Sequence, residues 1–421
     1  MLYGVGITNQ AVIDYFNRNK INYDLYTDQM NTAINLSDYN LIIKTPGIKP
    51  TTNIIKEAKM LNIPVITDLE LYYLLTKNCP IIGVTGSNGK TTVVTLINKI
   101  LKTDYQFVMG GNIGIPLFSL IDLPKNGSII ECSSFELDGT KRFKPHIWII
   151  LNIEEHHLDY HQTYDNYFNC KTRCLNQMLP TDIVIYNYDN ILLREYVHNF
   201  NIRQISFSRF NENANVYIKN NKIYYFDEEF LDLNNCQCRN CVINVDYMPV
   251  IIVGNLYNVK KEEIIRTLLE FKTLEHRCEI VVQDKSHIVI NDSKSTSPTA
   301  TLGAFEFVDS IYCNYKLKWI AGGKLTKDNY HVLSKTKNNN VEAFLFGENK
   351  EYLEKNLDSK LFNIRLFPNL ESIIEYLYNS NLENTVILFS PASPSFDMYK
   401  SFEERGNIFK NLILKNEKKE Q

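Results

Sequence analysis

The chain has no excess of basic residues: 45 Lys and Arg stand against 48 Asp and Glu, a formal net charge of −3. Proteins that track a phosphate backbone gather positive charge, so nucleic acid is not expected as the main partner, while a local basic site for an anionic small molecule is still allowed. No run approaches the ~18 consecutive apolar residues of a membrane helix, so no membrane insertion is expected. The opening Met1-Leu2-Tyr3-Gly4-Val5-Gly6 lacks the basic start and the long apolar stretch of a secretory leader. The nine cysteines are odd in number and lie mostly in strand-like or helix-like runs. That argues against a disulfide framework and for a reducing, cytoplasmic setting. Cys236, Cys238 and Cys241 sit close together, but no full tetrahedral zinc set accompanies them, so they read as incidental. Short repeats and low-complexity linkers are also missing.

What is present is enough apolar sequence for a packed core, 44% hydrophobic against 22% charged, in 421 residues. At roughly 100–200 residues per domain, two to four domains are expected. Three stretches alternate strand-like and helix-like segments, which predicts an α/β class with mainly parallel sheets. The first, 1–78, reads as strand 2–6, helix 10–19, strands 22–26 and 40–44, helix 52–61, strand 64–66 and helix 69–76. The second, 79–272, opens on the buried-strand pattern Pro80 to Thr85. It continues with a helix over 91–102, strands near 128–132 and 147–151, a helix over 164–177 and a β-rich patch over 214–252. The third, 273–421, carries strands near 279–282, 287–291, 317–321, 341–346 and 385–389, with a solvated tail from Lys415 to Gln421.

Gly83-Val84-Thr85-Gly86-Ser87-Asn88-Gly89-Lys90-Thr91-Thr92 follows a strand and opens a helix. Glycines let main-chain N–H groups close around phosphate oxygens, and a helix N-terminus adds positive potential. In such a loop Lys90 would meet the β/γ-phosphates and Thr91 would ligate Mg²⁺ through its hydroxyl. Val84 stands where the strict pattern has its first glycine. The loop alone says nucleotide binding, not which reaction.

Two further strands end in polar residues. Glu131-Cys132-Ser133-Ser134-Phe135-Glu136-Leu137 follows one of them, and a carboxylate at the C-terminal end of a parallel strand lies beside the nucleotide crevice. Glu131 there is a candidate for Mg²⁺. The other strand runs into Asn152-Ile153-Glu154-Glu155-His156-His157-Leu158-Asp159, where His157 and Asp159 are candidates for metal or substrate. Lys171, on a predicted helix, reads from its own surroundings as an exposed lysine. In the third stretch His276-Arg277 comes first. Asn291-Asp292-Ser293-Lys294-Ser295-Thr296 then forms a polar strand-to-helix junction, and the hydroxyl-rich Ser390 to Gly406 leads into an amphipathic helix. Asp can accept hydrogen bonds from ribose, and Lys and Arg counter phosphate or carboxylate charge. Both junctions also suit plain helix capping.

In this order and over nearly the whole length, these segments resemble the Mur ligases. The phosphate loop, Gly110-Gly111-Asn112-Ile113-Gly114, Glu131 to Leu137, Asn291 to Thr296 and Ser390 to Gly406 carry the likeness. They are closest to the branch that adds D-glutamate to UDP-N-acetylmuramoyl-L-alanine. The resemblance implies three domains. They are a Rossmann-like N-terminal domain (1–78) for the UDP substrate, a central P-loop ATPase-type domain (79–272), and a Rossmann-like C-terminal domain (273–421) that closes over ATP and binds D-glutamate. Gly4-Val5-Gly6-Ile7-Thr8-Asn9 and Thr45-Pro46-Gly47-Ile48 would serve the first of these.

The resemblance also implies roles. Gly86 to Thr92 would cradle ATP. Lys90, Glu131, His157, Lys171 and Lys294 would be catalytic. Thr91, Glu131, His157 and a carbamylated Lys171 would serve two Mg²⁺ sites. Arg277 and Asp292 would hold the nucleotide. Asn112, Thr296, Ser395, Phe396 and Phe402 would contact substrate. A cytoplasmic monomer is implied. The chain departs from the family pattern at Gly254-Asn255-Leu256-Tyr257-Asn258, which lacks a histidine, and the stretch onward to His276 looks shortened. Three alternatives stay open: another Mur or folylpolyglutamate-type ligase, a non-catalytic nucleotide binder on a decayed scaffold, and a generic P-loop NTPase.

Overall fold

The computed structural model describes residues 1–420 apart from 31–33, 77–78, 103, 155–156, 237–240, 272–273, 285, 313 and 327. The class is α/β with parallel-rich sheets, as expected. By contact density the chain divides into two compact units, one of residues 1–236 with 245–270 and the other of residues 237–244 with 271–421.

The first unit contains two sheets among the described residues. The smaller has four parallel strands in the order Leu25–Tyr26, Leu2–Tyr3, Ile42–Lys44, Val65–Ile66. The larger has nine. Seven of these are parallel, in the order Val216–Lys219, Arg203–Ser208, Ile183–Asn187, Ile147–Ile150, Ile81–Thr85, Gly127–Glu131, Phe107–Gly111. The antiparallel strands Lys222–Tyr225 and Glu228–Asp232 extend one edge. Strand Ile81–Thr85 lies inside this sheet and all five of its residues are buried, so both faces must be apolar, and Ile81-Ile82-Gly83-Val84 supplies that. Gly83 is needed because a Cβ there would run into the Trp148 ring, which is itself fully buried. Chain connections leave Ile81–Thr85 on opposite sides, to Phe107–Gly111 and later to Ile147–Ile150. The crevice at its C-terminal end is therefore a topological switch point, where α/β sheets bind ligands.

The second unit holds a six-stranded sheet in the order Glu279–Gln283, His287–Asn291, Thr385–Phe389, Lys316–Gly322, Val341–Phe346, Phe362–Leu366. Only Glu279–Gln283 runs antiparallel to its neighbour. Buried Trp319, Phe305 and Phe362 pack one face; Phe389, Phe409 and Ile413 lie in the cluster on the other.

Three expectations fail, one of them in part. The end of the supposed β-rich patch is the helix Cys241–Leu256, followed by a second helix, Lys261–Leu269. Its run Val250-Ile251-Ile252-Val253 is β-branched and buried on every side, a composition that hides helical periodicity. The stretch before His276, which looked shortened, therefore carries two helices. The tail from Lys415 is solvated at Lys415 and Lys418, as expected, but not throughout: helix Phe402–Glu420 continues into it, and the Glu417 carboxylate meets His287 Nε2 at 2.9 Å and accepts from Tyr378 Oη at 2.5 Å. Lys171 is 1% exposed rather than exposed. Among the described residues no helix is long and apolar enough to cross a membrane.

Candidate active site

The loop between strand Ile81–Thr85 and helix Lys90–Leu101 is shaped by the strand next door. Asn152, just beyond Ile147–Ile150, accepts the Asn88 amide on its side-chain oxygen at 2.8 Å and returns its own NH₂ to Asn88 O at 3.2 Å. Its main-chain oxygen accepts the Ser87 amide at 3.0 Å. The Ser87 hydroxyl bonds Glu154 O at 3.2 Å and Tyr167 Oη at 2.9 Å. Gly89 has φ +84, and a Cβ there would strike the Asp246 carboxylate, so glycine is required twice over. Lys90 turns its ammonium onto Gly86 O at 2.8 Å and Ser87 O at 3.0 Å.

Glu131, 2% exposed, ends strand Gly127–Glu131 beside this loop. Its two oxygens accept the Thr91 hydroxyl at 2.8 Å and the Asn112 amide at 3.1 Å. Gly111, at φ +99, lets the chain pass close enough for the Asn112 N–H to reach Glu131 O at 3.0 Å. The donor set is a hydroxyl and a carboxylate, both hard oxygen ligands, and so it fits Mg²⁺.

Lys171, on helix Tyr164–Thr172, donates to Gly86 O at 2.9 Å and Thr85 Oγ1 at 3.2 Å, and lies 4.8 Å from the centre of the Tyr167 ring. Two lysines thus share one carbonyl oxygen at the phosphate loop. Burial first, and the Lys90 charge second, hold the Lys171 pKa well below the ordinary lysine value. His157 packs against Phe135 with ring centres 4.7 Å apart and planes tilted by 53°, and reaches the same Tyr167 ring at 6.5 Å. The structure therefore gathers Gly86 to Thr92, Asn112, Glu131, His157 and Lys171 about one strand end. Glu155, His156 and Cys238, and the side chains of Asp159 and Cys241, lie outside the described residues.

The remaining candidates belong to the second unit. Asp292, fully buried, accepts from Cys278 N at 3.1 Å and from the Ser390 hydroxyl at 2.7 Å; burial raises its carboxyl to about 6 against the pull of its hydroxyl and N–H donors. Lys294 sits 3.8 Å over the Phe402 ring. Ser395 is buried, Thr296 and Arg277 are half-buried, and Phe396 is 67% exposed. Ser297 caps helix Pro298–Ile311, so the capping account of this junction is also correct.

Sequence reasoning passed over Asn152, Asp246 and His161. His161 is buried, with Nε2 at 3.0 Å from the Ser134 hydroxyl and its ring stacked on Phe135. The His157/His161 spacing of four was the available signal. Asp246 was hidden by the mistaken strand reading.

A family model described as Mur ligase middle domain matches residues 84–259. The UDP-N-acetylmuramoylalanine–D-glutamate ligase of Lactococcus lactis subsp. lactis (strain IL1403) is 33% identical over 377 residues, 88% of this chain and 82% of that protein. The protein of the same name from Oenococcus oeni (strain ATCC BAA-331 / PSU-1) is 32% identical over 400 residues, 94% and 90%. Among solved structures, MurF ligase from Thermotoga maritima in complex with ADP superposes with TM-score 0.66 at 17% identity, covering 99% of this chain and 95% of that one. UDP-N-acetylmuramate–alanine ligase MurC from the same organism gives 0.64 at 16%, covering 98% of each. At such identities the structures speak for the fold alone.

Proposed function

The chain belongs to the Mur ligase family, and on that footing we propose that it joins D-glutamate to UDP-N-acetylmuramoyl-L-alanine at the expense of ATP, in peptidoglycan precursor synthesis. The observation that carries this reading is the strand-end cluster of Lys90, Thr91, Glu131 and Lys171, set in a chain about one-third identical to D-glutamate ligases over most of their length. The four-stranded sheet is read as the Rossmann-like UDP domain (1–78), the nine-stranded sheet as the P-loop ATPase-type domain (79–272), and the six-stranded sheet as the Rossmann-like domain (273–421) that receives D-glutamate. The reaction is assigned to the cytoplasm and to a monomer.

The L-alanyl carboxylate attacks the γ-phosphorus of ATP, giving an acyl phosphate and ADP. The amine of D-glutamate then adds to the acyl carbon, loses a proton, and phosphate departs as the amide forms. The physical difficulty is that every reactant is an anion. Lys90, one short side chain from the loop amides, counters the transferring phosphoryl group. Thr91 and Glu131 would hold one Mg²⁺, and His157 with a carbamylated Lys171 a second; bound there, Mg²⁺ supplies charge neutralisation between phosphate and carboxylate. A lysine adds CO₂ as the neutral amine, yielding a carbamate and a proton, and the lowered pKa of Lys171 favours that form. A carbamate also turns the repulsion between Lys171 and Lys90 into attraction. Asn112 orients Glu131 and faces the substrate. Arg277 and Asp292 would hold the nucleotide, and Lys294, Thr296, Ser395, Phe396 and Phe402 the D-glutamate.

The test is ADP release from purified protein with Mg²⁺, with each reactant omitted in turn and with D-glutamate exchanged for other amino acids. Release that requires both UDP-N-acetylmuramoyl-L-alanine and D-glutamate is expected; release indifferent to either would refute the reading.

A further inference from the structure

We propose that Arg405 is a positioning residue for the amino-acid pocket: from the back, it clamps the loops that present Lys294 and Ser395. The proposal rests on the assignment of those two residues to D-glutamate.

Arg405 lies on helix Phe402–Glu420 and is 0% exposed, so it touches no substrate. Its Nε donates to Ser293 Oγ at 3.1 Å and Nη2 to Ser293 O at 2.9 Å. Nη1 donates to Ser393 O at 3.0 Å and more distantly to Gly322 O at 3.4 Å. These acceptors follow or end three strands that are adjacent in the sheet, His287–Asn291, Thr385–Phe389 and Lys316–Gly322. One planar, rigid group therefore spans three strand ends. Gly323, at φ +153, completes the fit, because a Cβ there would press on Pro394 O and approach Nη1 to 3.0 Å. The Ser293 hydroxyl donates onward to Phe402 O at 2.8 Å, and the Phe402 ring carries the Lys294 ammonium.

All four hydrogen-bond acceptors are neutral oxygens, and the nearest carboxylate influence, that of Asp397, acts on the guanidinium without a hydrogen bond to it. An apolar side chain could fill the same space without burying a charge. What only this group supplies is the set of fixed distances between the loops, together with a positive charge behind a pocket assigned to a dicarboxylate. Asp292 is held independently, its N–H by Phe389 O at 2.7 Å and its carboxylate by Cys278 N and Ser390 Oγ. Loss of Arg405 should therefore spare the nucleotide side of the junction.

The test compares wild type with Arg405→Lys and Arg405→Ala. Losing charge-assisted bonds of this kind should raise KM for D-glutamate about tenfold or more in Arg405→Lys, with KM for ATP and for the UDP substrate changed by less than about twofold. Amide exchange should quicken at Ala392, Gly322 and Lys324, whose N–H groups bond across these loops to Ser295 O, Pro391 O and Pro394 O, and stay unchanged in strand Val341–Phe346. Millimolar guanidinium should restore Arg405→Ala; urea, of the same shape but uncharged, should not. An unchanged KM for D-glutamate, an equal rise in all three KM values, or faster exchange throughout the sheet would overturn the proposal. If Arg405→Ala does not fold, Arg405→Lys decides. If the wild type itself shows no turnover with D-glutamate, the ligase reading fails, and the exchange measurement still judges whether Arg405 holds these loops.

Discussion

Replacing Lys171 with Met should abolish turnover and leave the fold intact, and its contacts give the size of both effects. The substitution removes two hydrogen bonds, to Gly86 O and Thr85 Oγ1. Neither acceptor is left bare: Gly86 O keeps Lys90 at 2.8 Å, and the Thr85 hydroxyl donates to Cys132 O at 3.0 Å. The two bonds together are worth about 1–3 kcal/mol, and Met fills similar space with nothing to desolvate. The lysine pKa is depressed in the folded state, so the unfolded chain binds more protons, and wild-type stability rises with pH toward the ordinary lysine range. The opposing penalty is absent above the ordinary lysine range and grows as pH falls toward the depressed folded value. In CO₂-free buffer near neutrality the variant should therefore melt close to or above the wild type. Bicarbonate then separates them. At about ten times its dissociation constant, CO₂ adds roughly 1.4 kcal/mol to the wild type alone, about 2–4 °C in a unit of this size. Turnover should rise with bicarbonate in the wild type and be lower by about a hundredfold or more in the variant, as expected for a lost electrostatic partner of the transition state. Thermal melts and ADP release, each with and without bicarbonate at fixed pH, measure both. Wild-type melting and turnover that ignore bicarbonate, or a variant within about tenfold of wild type, would refute the carbamate.

Glu131→Gln keeps the volume and can still accept from Thr91, but it removes the charge that suits Mg²⁺; turnover should fall by about 10²–10³ at any Mg²⁺ concentration, with thermal melts little changed. Gly89→Ala places a Cβ at φ +84 against the Asp246 carboxylate, so calorimetry should show ATP affinity lower by about tenfold or more, the equivalent of roughly 1.4 kcal/mol. Asp292 titrates at about 6 in the fold against the ordinary aspartate value of 3.8, so its stabilising contribution is complete below the lower value and is lost as pH rises through the higher. Asp292→Asn, which imitates the protonated acid, should remove that loss. Its stability should gain on the wild type between about pH 4 and pH 7, by at most about 3 kcal/mol, read from thermal melts, while KM for ATP rises.

The phosphate loop was legible because a handful of neighbours in sequence do the work: Gly89 must take a positive φ, Lys90 must follow it, and the preceding strand must be apolar on both faces. Glu131 was legible for a similar reason, since strand ends are where α/β sheets place chemistry. Lys171 was not. Tyr167 covers it from four residues earlier on the same helix, but the rest of its burial comes from Trp148 and the loop oxygens, which only folding brings to it. Asp246 was out of reach for another reason. Helix Cys241–Leu256 is apolar all round, so no polar stripe betrays its period, and a run of β-branched residues imitates a strand. Asn152 could have been suspected as a strand-end amide, but its partner Asn88 is distant in sequence and only the sheet order makes them neighbours.

Three buried basic side chains, Lys44, Lys171 and Arg405, share one mode of attachment, and it bears on what the molecule must do. Lys44, 3% exposed, donates to Pro46 O, Ile48 O and Tyr160 Oη at 2.8–3.1 Å, and burial lowers its pKa to about 8. Lys171 bonds Gly86 O and Thr85 Oγ1, and Arg405 bonds Ser293, Ser393 and Gly322. In each case the N–H groups are satisfied by carbonyl or hydroxyl oxygens rather than by a carboxylate. A buried ion pair would satisfy them equally well and would cancel the field beyond a few ångströms. Neutral acceptors fix the geometry and leave the charge acting on whatever approaches. Where burial and a second cation oppose the charge, as at Lys171, the neutral amine is favoured instead. For a catalyst whose substrates are a triphosphate, a carboxylate and a dicarboxylic acid, basic groups bonded to neutral oxygens, with carboxylates such as Asp138 and Asp397 acting only from farther off, keep positive charge available to the chemistry, and the phosphate loop is only the part of it that local sequence displays.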